Sequence, residues 1–353
     1  MTDSLGYSLT IIFISILMII SAAKYYLEKF HKGQLKGLNF IFNLVLALLP
    51  MFYLFSITLK WKFSLSYLPS GNGEDLTYSS FHNIWLLVTL FVTIILVIRA
   101  RKDSKSKTRY LFNRLDAVDH TLFWVGVMLV GIEVFKQLEY LNLKGGLALY
   151  EWYGFPLQFC SLPILLFWLT PFIKNKTIKR ALYAFIGIFM SVAGISVMII
   201  GQSVFTNNVA ISTHTMLWHG AMVALSLYVL VARNIGKSYK DFGLAIAVLA
   251  IIIVFVQIIN VSFHFIGLKH PNLLYFDGFF INPWISNVNM PVLSNIRINL
   301  QNSGMHVFFV GVIFSFVYFS AFTLGGLLIF SLYNFPYIIK SSHRPKVLEQ
   351  VQQ

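Results

Sequence analysis

The sequence predicts an all-α protein, a polytopic transmembrane helix bundle of about nine helices, and three observations carry that prediction. Hydrophobic residues fill 57% of the 353 positions and charged residues only 11%, a balance that a water-exposed surface does not support. Long apolar runs recur along the whole chain, each close to the roughly 20 residues that span about 30 Å of hydrocarbon. Basic residues gather between alternate runs, which is the asymmetry of cytoplasmic loops.

The runs lie near residues 5–27, 38–59, 81–98, 117–138, 157–173, 181–200, 213–232, 242–267 and 305–335. The first lacks a basic leading region and is preceded by Asp3, so it reads as a retained helix and not as a cleaved signal peptide. Lys24, Lys29, Lys32 and Lys36 follow it, and Arg99 to Arg114 follow the third run with seven basic residues. Lys174, Lys176, Lys179 and Arg180, then Arg233, Lys237 and Lys240, then Lys340, Arg344 and Lys346 follow the fifth, seventh and ninth. This pattern predicts the N-terminus outside and the C-terminus in the cytoplasm. The formal charge of +14 is thereby a matter of topology, and no nucleic acid partner is expected. The basic stretch from Arg99 to Arg114 is also able to grip anionic lipid head groups. Two longer outer loops, about 60–80 and 268–304, remain, the second with Pro283, Trp284 and Pro291. No internal repeat with matching interrupted helices is visible, which argues against an inverted-repeat transporter.

Ionisable residues inside the spans are the strongest functional pointers, because burying them is costly without compensation. If the fifth helix enters from outside at Pro156, Cys160 lies roughly 5 Å below its outer end and His219 roughly 10 Å below that of the seventh. His82, Glu133, Lys136, Gln257, Asn260, His264 and His306 fall in the same outer layer, the level of phospholipid acyl esters. Asp119 and His120 sit at the other end and read as a structural or interfacial pair. A thiol acts as a nucleophile only as thiolate, which needs a base or a positive field. His219 supplies a candidate base, and the helix start at Pro156 a partial positive charge. Pro163 cannot donate to the carbonyl of Phe159, so a kink beside the cysteine is expected. Residue types alone still favour Cys160 as an inert packed side chain over a nucleophile.

His214 and His219 are five apart and point about 140° away from each other on a helix, and no H-E-x-x-H, paired cysteine, G-x-S-x-G or phosphate-loop motif occurs. No metal and no cofactor are therefore expected. The residues leave three readings open. One is an enzyme using Cys160 and His219, with His82, Glu133 and Asn260 as candidate supporting residues. Another is a transporter or flippase whose polar path runs through Glu133, Lys136, Asn260 and the histidines. The third is a non-catalytic membrane scaffold. Glu133 either orients a histidine or pairs with Lys136.

The stretch P-L-Q-F-C-S-L-P, Pro156 to Pro163, with W-H-G at Trp218 to Gly220 and F-H at Phe81 and His82, resembles the YwaF-like family of bacterial membrane proteins related to transmembrane protein 164. The resemblance runs from about Tyr78 to Tyr337. It implies a seven-helix core over 78–337, an added N-terminal transmembrane hairpin within 1–77 and a basic cytoplasmic tail at 338–353. It also implies a multi-pass protein of the bacterial plasma membrane. The activity implied is a membrane acyltransferase that passes a fatty acyl group from phospholipid through a cysteine thioester to a lysophospholipid-type acceptor. The nucleophile then falls on Cys160 and the catalytic histidine on His219. Ser161 departs from the acidic residue that many bacterial members carry after the cysteine, and no proline stands at Gly201 to Ser203.

Overall fold

Leucine-, isoleucine- and phenylalanine-rich runs become helices here because side-chain oxygens close their first turns. Ser79, Asn175, Asn208 and Ser238 each accept from backbone N–H groups of the helix that follows, satisfying donors that have no intrahelical partner. The computed structural model describes residues 16, 19–20, 36–61, 76–111, 114–144, 150, 152–200, 204–206, 208–270, 276–285 and 293–342. Its helices are α1 (Lys36–Trp61), α2 (Ser80–Asp103), α3 (Ala117–Lys144), α4 (Pro163–Leu169), α5 (Lys176–Phe185), α6 (Ser191–Ile200), α7 (Val209–Ala232), α8 (Tyr239–Gly267), α9 (Leu293–Asn302) and α10 (Val307–Ser342).

Seven helical stretches among the described residues are long and apolar enough to cross a membrane. The protein is a multi-pass membrane protein. Six of the spans are α1, α2, α3, α7, α8 and α10, and the seventh is α5 joined to α6 through a π-helical turn at Ile186–Met190. The first apolar run, 5–27, lies almost wholly outside the described residues. The run expected at 157–173 takes another form. A 3₁₀ turn at Phe159–Ser161, α4, and a second 3₁₀ turn at Thr170–Phe172 make one short apolar stretch, too short to cross about 30 Å as an α-helix at 1.5 Å per residue. The helix expected to start at Pro156 and kink at Pro163 is corrected accordingly: Pro163 opens α4, where its missing N–H is no loss.

One end of the bundle is tied by ions. Asp119, in the first turn of α3, accepts from Lys179 Nζ at 2.6 Å, from Arg233 Nη2 at 2.7 Å and from the Tyr183 hydroxyl. Arg233 also reaches both oxygens of Asp116, and Arg180 clasps Asp241 with two bonds at 2.6 and 2.7 Å. Burial alone would raise the Asp116 carboxyl, but the Arg233 guanidinium holds it below the usual range. Asp119 and His120 are thus structural, as expected, each with its own partners: His120 stacks on Tyr110 and accepts from Trp124.

The core between the spans is aromatic, with Phe159, Phe185, Phe189, Tyr228, Phe279, Phe314 and Tyr318 buried. The glycine of W-H-G is there for packing. A Cβ on Gly220 would stand 2.6 Å from Thr89 Oγ1, so only glycine lets α2 and α7 approach this closely. On the other flank α1 packs on α3, its Phe55 ring edge-on to Phe135 at 5.0 Å.

Candidate functional site

The 3₁₀ turn that carries Cys160 is anchored to α7. Trp218 Nε1 donates to the carbonyl oxygen of Cys160 at 2.6 Å, and the turn closes on itself through Ser161 N–H to Gln158 O at 2.8 Å. Cys160 is a free thiol, half-buried against the core. Trp218 lies nine positions after Val209, so the cysteine turn is level with a point about 14 Å along α7. The cysteine turn precedes the helix, which begins only at Pro163. His219, next in sequence to Trp218, shares that level.

His219 is held in a defined state. Its Nδ1 lies 2.8 Å from the carbonyl oxygen of Thr215. A carbonyl only accepts, so Nδ1 carries the hydrogen and Nε2 keeps its lone pair. Nε2 is buried and has no hydrogen-bond partner among the described residues. The charge of Lys136 reaches both His219 and the Cys160 thiol.

Lys136 belongs to a polar group built on α3, the start of α7 and the loop residues Tyr150 and Gly154. Glu133 Oε1 accepts from Lys136 Nζ and from Gln137 Nε2, both at 2.6 Å. Gln137 also donates to Gly154 O at 2.9 Å and accepts from the Tyr150 hydroxyl. Burial, with the nearby Glu133 charge, pushes the Tyr150 phenol up to about 12, so it stays a neutral donor. The second oxygen of Glu133 has no partner and faces His214 Nε2 at 3.7 Å, itself buried without a partner. Of the two roles expected for Glu133, pairing with Lys136 is seen, while its approach to a histidine is too long for a hydrogen bond that would orient the ring. The histidine is His214, whose ring stacks on Trp218.

The cysteine turn is backed by the segment 276–285. Gln158 Nε2 donates to Asp277 O at 2.8 Å and Phe279 N–H to Leu157 O at 3.2 Å. The Phe279 ring packs on Phe159 and Tyr318. Asn260 clamps the same segment, with Gly278 N–H donating to Oδ1 at 2.8 Å and Nδ2 donating to Gly278 O at 3.1 Å. Asn260 therefore acts on the site through this backbone and not by direct contact. Phe279 and Phe280 both have φ near +60°, a conformation aromatic residues rarely adopt and one that costs on the order of 1–3 kcal/mol per residue.

His82 does not join the group. Its Nδ1 accepts from Tyr78 N–H at 2.9 Å and its Nε2 faces Met198 O at 2.7 Å, so both nitrogens are committed to fastening the start of α2 to α6. His264 stacks on Trp284 and His306 is exposed. Among the described residues no three His, Cys, Asp or Glu side chains converge as a metal set.

Sequence reasoning did not single out Arg297, which is fully buried on α9 and bonds Asp277 Oδ2 at 3.2 Å. A signal was present: between Lys269 and Lys340, Asp277 and Arg297 are the only Asp, Glu, Lys or Arg residues. Burial pushes the Asp277 carboxyl up to about 6 against the pull of that guanidinium.

No curated protein and no solved structure matches the chain. The TMEM164 family does match, over residues 77–284, a segment that runs from the start of α2 through the cysteine turn and W-H-G to the segment backing Cys160. The chain belongs to the TMEM164 family.

Proposed function

We propose that the protein is a membrane-embedded acyltransferase in which Cys160 carries the acyl group as a thioester and His219 moves the proton. The observation that supports this best is the buried, unpartnered Nε2 of His219, held as a lone-pair acceptor by the Thr215 carbonyl and adjoining the tryptophan that fixes the Cys160 carbonyl. A base in that state is what a neutral thiol requires.

In the first half-reaction His219 Nε2 takes the thiol proton and the sulfur attacks the acyl carbonyl of a phospholipid ester. A C–S bond forms, the ester C–O bond breaks, and the departing alkoxide takes the proton from His219 as lysophospholipid. In the second, a hydroxyl of a lysophospholipid-type acceptor gives its proton to His219 and attacks the thioester. A C–O bond forms, the C–S bond breaks, and the sulfur recovers the proton. The basic ends of α2, α5 and α7 support an orientation with that end in the cytoplasm of a bacterial plasma membrane.

Purified protein incubated with labelled acyl phospholipid and measured by intact mass tests the reading. A hydroxylamine-sensitive acyl adduct, absent in Cys160→Ala and slow to form in His219→Gln, is the expected result. A folded sample that forms no adduct would sink it and shift weight to transport, with Glu133 as the next residue to replace.

A further inference from the structure

Arg297 has five N–H donors, and the protein uses only one of its three nitrogens. Nη1 donates to Asp277 Oδ2 at 3.2 Å, Phe280 O at 3.1 Å and Asn282 O at 3.3 Å. Among the described residues, Nε and Nη2 are both buried without a hydrogen-bond partner. Those two nitrogens form the side edge of the guanidinium, whose parallel N–H bonds match two oxygens of one phosphate. Burying such donors without an acceptor is costly, and a bound oxyanion removes that cost. Asp277 occupies the opposite nitrogen, so the free edge does not face its carboxylate bond.

The position of the edge relative to the thiol is set by α10. The Arg297 guanidinium carbon lies 5.5 Å from the Phe314 ring centre. Tyr318, one turn further along α10, packs on Phe279 and on Phe159, the residue before Cys160. Four residues of helix rise about 6 Å. The guanidinium thus stands about one helical turn nearer the start of α10 than the cysteine does. In a glycerophospholipid the phosphate and the acyl ester are separated by one glycerol unit, which spans a comparable distance. The Gln158 bond to Asp277 O ties the two positions together.

We propose that the Nε–Nη2 edge of Arg297 binds the phosphate of the lipid whose ester faces Cys160. This rests on the acyltransferase reading for the ester, but the phosphate contact is separable from the chemistry. The site selects phosphodiester lipids over neutral glycerides, and Arg297 is a binding residue that does not enter the proton or acyl steps.

The test uses the Cys160→Ala full-length protein, which binds without reacting, in native mass spectrometry with added dioleoyl phosphatidylglycerol, dioleoylglycerol or inorganic phosphate. Expected is preferential retention of the phospholipid over dioleoylglycerol, reduced on the order of 10- to 100-fold in affinity by Arg297→Gln and less by Arg297→Lys, with dioleoylglycerol unaffected. Equal retention of both lipids, or equal loss of both in Arg297→Gln at unchanged thermal stability, overturns the proposal. Retention of inorganic phosphate that displaces the phospholipid overturns the lipid assignment in favour of a free-anion site. Because Cys160 is absent throughout, failure here leaves the thioester experiment untouched, and a missing thioester leaves this result standing.

Discussion

The two ends of the bundle treat buried polar groups in opposite ways. At the basic end, Asp119 has three donors, the Asp116 carboxylate takes two bonds from Arg233 and one from Asp119 N–H, and Asp241 is clasped by Arg180. Among the described residues of that cluster, Arg233 Nε alone has no hydrogen-bond partner. On the other side, toward Cys160 and α9, His219 Nε2, His214 Nε2, Glu133 Oε2 and the Nε–Nη2 edge of Arg297 are all buried without a hydrogen-bond partner among the described residues. Native proteins satisfy nearly all such groups, and unsatisfied ones concentrate where a ligand or reacting group completes them. The first end holds helices together. The second is arranged for something that is not protein.

The comparison breaks most sharply at the thiol. Cys160→Ala should lower acyl transfer on the order of 10⁴-fold or more, the scale for loss of a covalent nucleophile, with thermal unfolding in detergent unchanged. His219→Gln should slow adduct formation about 10²- to 10⁴-fold, the usual share of a general base, again without loss of fold; equal activity in both proteins would reassign the base. At the basic end the expected signature is reversed. Asp119→Ala strips Lys179, Arg233 and Tyr183 of their common partner and should cost roughly 3–5 kcal/mol of stability, as breaking buried pairs does, while any adduct formed per folded molecule stays the same.

A smaller effect should appear with pH. The folded Asp277 carboxyl titrates at about 6, above its ordinary 3.8. Between those values the folded state holds more protons than the unfolded one, so this group's contribution falls as pH rises and is fully lost above about 6. Unfolding midpoints should therefore show a decline from pH about 4 to about 6 in the wild type that is missing in Asp277→Asn. A difference curve that is flat would place the carboxyl at its ordinary value. Smallest of all, Asn175→Ala removes two bonds to the first turn of α5 and should cost about 1 kcal/mol, read as a shift in unfolding midpoint alone.

Much of the architecture was legible because a transmembrane helix declares itself locally. Seven of the nine apolar runs are spanning helices, and Asp119 and His120, expected as a structural or interfacial pair, are held at the start of α3 by separate partners. The run at 157–173 was misleading for a physical reason: its composition is that of a span, but Pro163 starts a helix as readily as it kinks one. Cys160 and His219 were named from their types, level and motif. His82 was named for the same reasons, yet its two nitrogens turned out to be spent on Tyr78 N–H and Met198 O.

By itself, then, the sequence determined that the chain is a helical membrane bundle, how long most helices are and which end is basic, because these depend on composition and on neighbours along the chain. Only the tertiary structure decided what the polar residues face. The tautomer of His219, the approach of Glu133 to His214 and the meeting of Asp277 with Arg297 across 20 positions all depend on helix order and rotation. Those are set by contacts such as Gly220 against Thr89 and Phe279 against Phe159, between residues far apart in the chain, and no periodicity along it encodes them.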